Sequence, residues 1–470
     1  MRKTKIVCTM GPACSSYETI KELCLAGMNV ARLNFSHGTH ESHLETIKLL
    51  KKARIELDLP LSIMLDTKGP EYRIKTFKND FVMLKEGDIF TFTSDEIEGD
   101  EKRVSVNYKD LPNEMEAGDL IYLNDGLLEF KVNEVKGNDV ICTCLGEGKL
   151  SNRKSMSFPG KVLKQVYLSE QDKDDLKFGV ANGIDFVACS FVSCKQDLDD
   201  IREYLDSLGG EDIRLIAKIE NQAGVDNIDS IFESCSGVMV ARGDMGVEIP
   251  YEKLPEIQKM LISKCRINGK RSITATEMLE SMITKPRPTR AEISDVANAV
   301  YDGTSAIMLS GETAAGAFPV EAVKAMAKIA EEAETSIDYK TNFYENSYTL
   351  KNVADAVSHS TCDMAISVGA KAIVACTNSG ETARFVSRFR TPMAIIGLTP
   401  NAHVYRRLAL SWGVEPAMTS VFDSTEEMFA AARKTALAKL DLKPGDKIVI
   451  TSGLRQDGSS NLSVLSVETI

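Results

Sequence analysis

Lys218 and Glu220 in LIAKIEN, Arg242 and Asp244 in VMVARGDMG, and Thr274 and Thr276 in SITATEML each stand two residues apart. Each pair closes an apolar, β-branched run, the pattern of a buried strand opening into a loop. Alternate side chains on a strand share a face, so the spacing predicts that each pair points one way. An ammonium, two carboxylates and hydroxyls delivered from consecutive strand ends is the layout of a divalent-metal site for a phosphorylated substrate. Glu220 and Asp244 offer hard oxygens suited to Mg²⁺ or Mn²⁺. Mg²⁺ keeps several waters and takes further ligands from substrate phosphates. Lys218 is placed to stabilise a transferring phosphoryl group. A structural salt bridge is the bland alternative for these residues.

Other candidates sit at neighbouring run ends. Arg32, Asn34 and Ser36 alternate in ARLNFSHG, and Asp66 and Thr67 follow LSIML. Arg32 suits a phosphate through its planar fork. Asn34, Ser36, Asp66 and Thr67 could surround a monovalent cation. His37 fits an acid/base group and a hydrogen-bonded structural histidine equally. In RGDMG, two glycines at a helix entry leave backbone N–H groups for an anion. Near the far end, Thr377, Ser379, Gly380 and Thr382 join strand KAIVACT to helix ARFVSRFR, as a phosphate cradle or as an ordinary helix cap. No G-x-x-x-x-G-K-[ST] is present, since GETAAG is followed by Ala317, and no Gly-rich dinucleotide fingerprint opens a βαβ unit. Nucleotide phosphates would therefore be held by side chains and metal.

These groups need a scaffold of several domains, and 470 residues allow two to four. A net charge of −12 argues against general nucleic-acid binding. The first residues, MRKTKIVCTMGP, lack the apolar core of a secretory signal, and no apolar run is long enough to span a membrane. The eleven cysteines fall mostly within apolar runs and read as buried free thiols in a reducing cytoplasm. Cys142 and Cys144 form a C-x-C with no second pair nearby.

Eight β-branched runs start at residues 5, 30, 61, 186, 214, 237, 272 and 305, most of them about 25–35 residues apart with amphipathic helices between. This rhythm predicts an α/β chain: a (β/α)8 barrel with its site on the loops at the carboxyl ends of the strands. The rhythm breaks after the third strand. Residues 71–165 carry alternating strands and turn signals such as NDG, predicting a small β-barrel domain inserted at the catalytic face as a lid. The catalytic barrel then comprises 1–70 and 166–340. YKTNFYENSY reads as a linker into a smaller α/β domain over 341–470.

KIVCTMGP, MNVARLNFSHG, LDTKGPE, KIENQAG, VMVARGDMGVEIP, ATEMLESMI, the run KPRPTRAEISDVANAVYDGTSAIMLSGETAAGAFPVEAV and NSGETAR stand in this order. Together they resemble the pyruvate kinase family nearly end to end. The resemblance implies phosphoryl transfer from phosphoenolpyruvate to ADP, giving pyruvate and ATP in the last step of glycolysis, by a cytoplasmic homotetramer. It implies that Arg32, Gly243, Asp244 and Thr276 contact phosphoenolpyruvate and that Lys218 stabilises the phosphoryl group. Glu220 and Asp244 would hold Mg²⁺. Asn34, Ser36, Asp66 and Thr67 would hold K⁺, with Glu71 as companion. Asn34, Ser36, His37, Arg73 and Lys154 would approach the nucleotide. Thr377, Ser379, Gly380 and Thr382 would take a sugar-phosphate or nucleotide effector. Departures are Glu277, where the family usually has Gln, KVLKQVYLSEQD after the lid, and the irregular loop GLRQDGSSN; no phosphohistidine-type domain is expected after Ile470. The rival reading keeps the barrel and metal but makes the chain a Mg²⁺-dependent aldolase or lyase acting on a pyruvate enolate.

Overall fold

The computed structural model describes the chain except residues 1, 125, 347, 349 and 457–459; over 454–456 and 460–463 it describes the backbone. The middle of GLRQDGSSN and the Asp of NDG thus lie outside the described residues.

Eight strands form where the β-branched runs are: β1 (Lys5–Thr9), β2 (Val30–Asn34), β3 (Ser62–Asp66), β4 (Phe186–Cys189), β5 (Arg214–Ile219), β6 (Gly237–Ala241), β7 (Arg271–Ala275) and β8 (Ala306–Leu309). They pair in parallel and close, β8 returning to β1 with Lys5 opposite Ala306. Buried on both faces, such strands read as continuous apolar runs. Their residues nevertheless divide by twos. Val7, Val30, Met64, Phe186, Ala188, Ile216, Met239, Ile273, Ala275 and Met308 pack together as the barrel interior. Their neighbours, such as Ile6, Leu33, Leu65, Ala217 and Val240, pack in the larger core that includes the helix residues Leu23, Leu50 and Leu261. This division fixes which polar residues at the strand ends face the mouth.

Between β3 and β4 the chain builds the inserted domain that the sequence reading expects as a lid. Strands Phe81–Leu84 and Gly148–Ser151 form a two-stranded ribbon, and six further strands from Ile89–Thr93 to Met156–Ser157 form a mainly antiparallel sheet. Ribbon and sheet share one core around Phe90, Phe92 and Phe130. Cys142 and Cys144 are both buried free thiols there.

The last region is a five-stranded sheet in the order Val414–Met418, Ala394–Thr399, Ala372–Cys376, Lys447–Gln456, Ser460–Thr469, its final strand antiparallel. The strand Val414–Met418 carries a Pro and gave no sequence signal. The expected linker YKTNFYENSY is instead partly helical, Tyr339–Glu345, capped by Asp338, whose side chain accepts the Thr341 N–H. Leu410 of this region packs into the barrel-interior cluster, and Lys5 Nζ donates to Val414 O at 2.7 Å. The α/β domain therefore closes the end of the barrel opposite the lid.

Candidate active site

Counting upward by twos from the interior layer places Arg32 above Val30, Asp66 above Met64, Ser190 above Ala188, and Lys218 and Glu220 above Ile216. The top of the interior is thus ionic, and these groups find one another. Lys218 Nζ lies 3.0 Å from Glu220 Oε1 and 3.1 Å from Asp66 Oδ1, and donates to Ser190 Oγ at 2.7 Å. Arg32 Nε donates to Asp66 Oδ2 at 2.6 Å and Nη1 to Thr9 Oγ1 at 2.9 Å. Glu220 Oε2 accepts the Phe191 N–H at 2.5 Å. Arg32 and Lys218 are each 8% exposed and Glu220 0%, so the charges are compensated by each other more than by water.

Burial opposes ionisation throughout, with different outcomes. At Asp66 burial raises the carboxyl, but Arg32 and Lys218 override it and hold the group below the usual carboxylate range. At Lys218 burial is likewise outweighed, by Asp66 and Glu220, and the ammonium is held above its ordinary value. At Glu220 burial wins; Lys218 offsets it only in part, Asp244 adds repulsion, and the carboxyl is pushed up to about 8.

A cavity of about 620 Å³ lies between mouth and lid, lined among others by Glu71, Tyr72, Arg73, Ser157, Asp244 and Glu248. Asp244 is exposed on it. Lys218 and Glu220 lie off its wall, reached past Phe191 and Asn221, which do line it. Glu220 Oε1 accepts no hydrogen bond; its approach to Lys218 is an ion contact of poor hydrogen-bond geometry. That open lone pair, with the Asp244 carboxylate coupled to it through charge, fits a hard divalent cation. Among the described residues no group of three His, Cys, Asp or Glu converges. The donor set therefore suits an ion that completes its shell from water and substrate.

Two of the three expected pairings fail. β6 ends at Ala241 and a helix, Arg242–Glu248, begins at once, so strand alternation does not carry from Arg242 to Asp244. Met239 takes the interior position, which sends Arg242 outward. Its Nη1 and Nη2 donate to Asp295 at 2.8 Å each, and Nη2 to Thr276 O at 2.7 Å. Nor is the Gly243 N–H free, since it donates to Thr276 Oγ1 at 2.7 Å. Thr274 also lies off the interior, between Ile273 and Ala275, and bonds Thr304 Oγ1 at 3.0 Å. At Thr276, just past the end of β7, the backbone turns to φ +70°. For a β-branched residue this conformation costs about 1–3 kcal/mol. It is held by Gly243, by Arg242 and by a 2.5 Å bond from Thr276 Oγ1 to Ala275 O.

At the expected monovalent-cation site, Asn34 and Asp66 are register neighbours, and Thr67 Oγ1 accepts the Ser190 N–H at 3.1 Å. Asn34 Oδ1 accepts the N–H of exposed Ser36 at 3.1 Å. His37 is exposed, and its carbonyl, rather than its ring, accepts from His43 Nε2 at 2.8 Å. Arg73 lines the cavity, ion-paired with Glu71 and donating to Arg153 O at 2.7 Å. Lys154 lies off the wall. In the α/β domain, Thr377 Oγ1 accepts the Gly380 N–H at 2.9 Å and Ser379 Oγ the Glu381 N–H at 3.3 Å. Turn and cap bonds thus already engage two of the hydroxyls.

Three contributors gave no sequence expectation. Ser190 was findable, two residues beyond interior Ala188. Phe191 acts through its N–H, which side-chain patterns do not reveal. Glu312 of GETAAG is 1% exposed and accepts the N–H groups of Leu279 at 3.0 Å and Ser310 at 2.7 Å, bracing the segment after Thr276.

A closed parallel barrel with a buried ionic layer at the carboxyl ends of its strands has the layout of a barrel enzyme. Residues 1–323 match the family described as pyruvate kinase, barrel domain, and 355–466 the one described as pyruvate kinase, alpha/beta domain. The chain is 46% identical over 481 residues to the pyruvate kinase of Clostridium perfringens and 45% over 472 to that of Clostridium acetobutylicum, each comparison covering 100% of both proteins. A crystal structure of a pyruvate kinase from Cryptosporidium parvum superposes with a TM-score of 0.94 at 37% identity, over 100% of this chain and 96% of that one. The chain belongs to the pyruvate kinase family and is a phosphotransferase. The aldolase or lyase alternative finds no support among these relatives. The family is generally metal-dependent, and no helix of the described residues is long and apolar enough to cross a membrane.

Proposed function

We propose that the ionic layer at the top of the barrel performs phosphoryl transfer from phosphoenolpyruvate to ADP. The observation that carries this reading is the Lys218 ammonium, buried and charged between Asp66 and Glu220 beside the lidded cavity. Residues 1–70 and 166–340 form the catalytic domain, 71–165 the lid and 341–470 the regulatory domain. Glu220 and Asp244 would hold Mg²⁺, or Mn²⁺ in its place, and the ion when bound supplies charge neutralisation to the phosphoryl oxygens. Asn34, Ser36, Asp66 and Thr67 would hold K⁺.

Lys218 faces the transferring phosphoryl and stabilises its developing charge without reorganisation, because Asp66 and Ser190 already fix its position. Arg32 has Nε and Nη1 committed to Asp66 and Thr9, which leaves Nη2 for the substrate phosphate. Gly243 and Thr276 take the carboxylate end by exchanging their N–H and hydroxyl bonds to Thr276 Oγ1 and Ala275 O for bonds to substrate, and Thr276 orients the water that protonates the enolate carbon. Arg73 and Lys154, with Asn34, Ser36 and His37, meet the nucleotide as the lid closes, and closure excludes water from the transfer. The hydroxyl loop Thr377, Ser379, Gly380 and Thr382 takes a phosphorylated effector in a cytoplasmic homotetramer.

A coupled assay with phosphoenolpyruvate and ADP, run with and without K⁺, Mg²⁺ and Mn²⁺, tests the reaction and the ions together. Turnover that needs a divalent ion and rises with K⁺ is expected. ATP formation indifferent to a chelator would reject the metal assignment, and none under any condition would reject the reaction.

A further inference from the structure

Tyr167 stands in KVLKQVYLSEQD, where the chain departs from the family pattern, and it has no part in phosphoryl transfer as proposed. This segment returns the chain from the inserted domain to the barrel: Leu163 is buried in the core of the first and Leu168 in that of the second. Between them Gln165 and Tyr167 line the cavity, while Val166 is exposed. Tyr167 packs against the barrel core, and its hydroxyl donates to Ser190 O at 2.7 Å. Burial, with Cys189, Asp197, Glu220 and Asp172 nearby, pushes the phenol well above its ordinary value, so the group stays a donor.

Ser190 O belongs to the same peptide unit as the Phe191 N–H. In a trans peptide these two point in opposite directions. Tyr167 therefore holds one side of the 190–191 peptide, and Glu220 Oε2, which accepts the Phe191 N–H at 2.5 Å, stands on the other. The rest of Ser190 is tied down elsewhere: its N–H donates to Thr67 Oγ1 at 3.1 Å, and its Oγ donates to Thr67 O and accepts from Lys218 Nζ, each at 2.7 Å. What remains to be fixed is the peptide beyond it. Phe191 has φ +55°, a left-handed backbone that a bulky residue keeps only where its surroundings hold it. Bonds on the two ends of one peptide also polarise each other, so a donor on the carbonyl makes the N–H a stronger donor to a carboxylate.

We propose that Tyr167 is a positioning residue for the divalent-cation site: through the 190–191 peptide its hydroxyl fixes the Glu220 carboxylate and leaves Oε1, which accepts no hydrogen bond, for the ion. The proposal rests on the reading of Glu220 as a metal ligand and adds what orients that ligand. Partners one step behind a metal ligand are worth about 10–100-fold in metal affinity. Tyr167 acts through one peptide more, which puts its share at the lower end, about tenfold.

Titration of the full chain with Mn²⁺, read from the electron paramagnetic resonance of the free ion without substrate, tests this. Tyr167→Phe keeps the ring and removes only the hydroxyl; it should weaken Mn²⁺ binding about tenfold, and Tyr167→Ala should weaken it to a similar extent. Half-saturation by Mg²⁺ in the coupled assay should rise in Tyr167→Phe by the same factor. A residue that served only as packing would give another order, with wild-type affinity in Tyr167→Phe and loss confined to Tyr167→Ala. Glu220→Gln is the control for the metal reading and should lose binding. Tyr167→Phe within about threefold of wild type, with binding lost in Glu220→Gln, overturns the proposal alone. Affinity unmoved in Glu220→Gln overturns the metal reading and the proposal with it. Melting of each variant checks the fold. Should Tyr167→Ala not fold, Tyr167→Phe against wild type carries the comparison; should Glu220→Gln not fold, Asp244→Asn, at an exposed position, takes its place as control.

Discussion

Asp66→Asn should be the most damaging near-isosteric change in the mouth. The carboxylate is 1% exposed and bridges Arg32 Nε at 2.6 Å and Lys218 Nζ at 3.1 Å. An amide fills the same space but leaves the two cations facing each other with Glu220, 3.0 Å from Lys218, as the remaining close acid. That acid is a poor counter-ion, its carboxyl pushed up to about 8. Breaking a buried pair from one side costs about 3–5 kcal/mol. In a barrel of this size each kcal/mol moves the melting temperature about 2–4 °C, which gives a loss of about 6–20 °C. The assay is calorimetric melting without K⁺, Mg²⁺ or substrate, so that lost ion binding contributes nothing. The pH dependence adds a check with a definite sign. Asp66 is held below the usual carboxylate range, so its contribution is present above the unfolded value near 3.8 and is lost only as pH falls through the lower folded value. The gap between wild type and variant should therefore stay constant from pH 8 to about 5 and narrow only in strong acid. A fall under about 3 °C, or a gap that closes near neutrality, would refute Asp66 as the counter-ion.

Lys218→Met should lower kcat by about 10²–10³ while calorimetry still detects phosphoenolpyruvate; near-normal turnover in a folded variant removes Lys218 from its role. Glu248, beside Ser157 and Phe158 of the lid, is raised to about 7 by burial. A raised acid contributes stability that is complete below its unfolded value near 4.5 and lost as pH rises through about 7. Wild type should thus lose up to about 3 kcal/mol relative to Glu248→Gln across that window, read by melting at each pH. Arg242→Ala frees the Thr276 turn from Asp295 and should raise KM for phosphoenolpyruvate while lowering stability by about 1–3 kcal/mol; an unchanged KM would show that the turn holds itself.

Much of the architecture was legible because it is local. Each β-branched run forms its strand wherever both faces are buried, and βα spacing leaves little freedom in closing eight of them. Lys218 and Glu220 were readable for the same reason, since they continue one strand's alternation. That rule stops where a strand stops. At Ala241 the backbone becomes helical, at Thr276 it turns to positive φ, and both pairings drawn across those points failed. Alternation also does not say which of its two faces is inside; Ile273 and Ala275, not Thr274, took the interior of β7. What only the tertiary structure decided is the set of partners. Asp66 meets Arg32 and Lys218, Ser190 meets Lys218, and Arg271 meets Arg407, because closing the barrel and capping its far end bring together residues far apart in the chain, Asp66 and Lys218 among them. Sequence pattern reports the face a side chain takes on its own element, whereas the charge it must answer comes from elements that the closed barrel sets beside it.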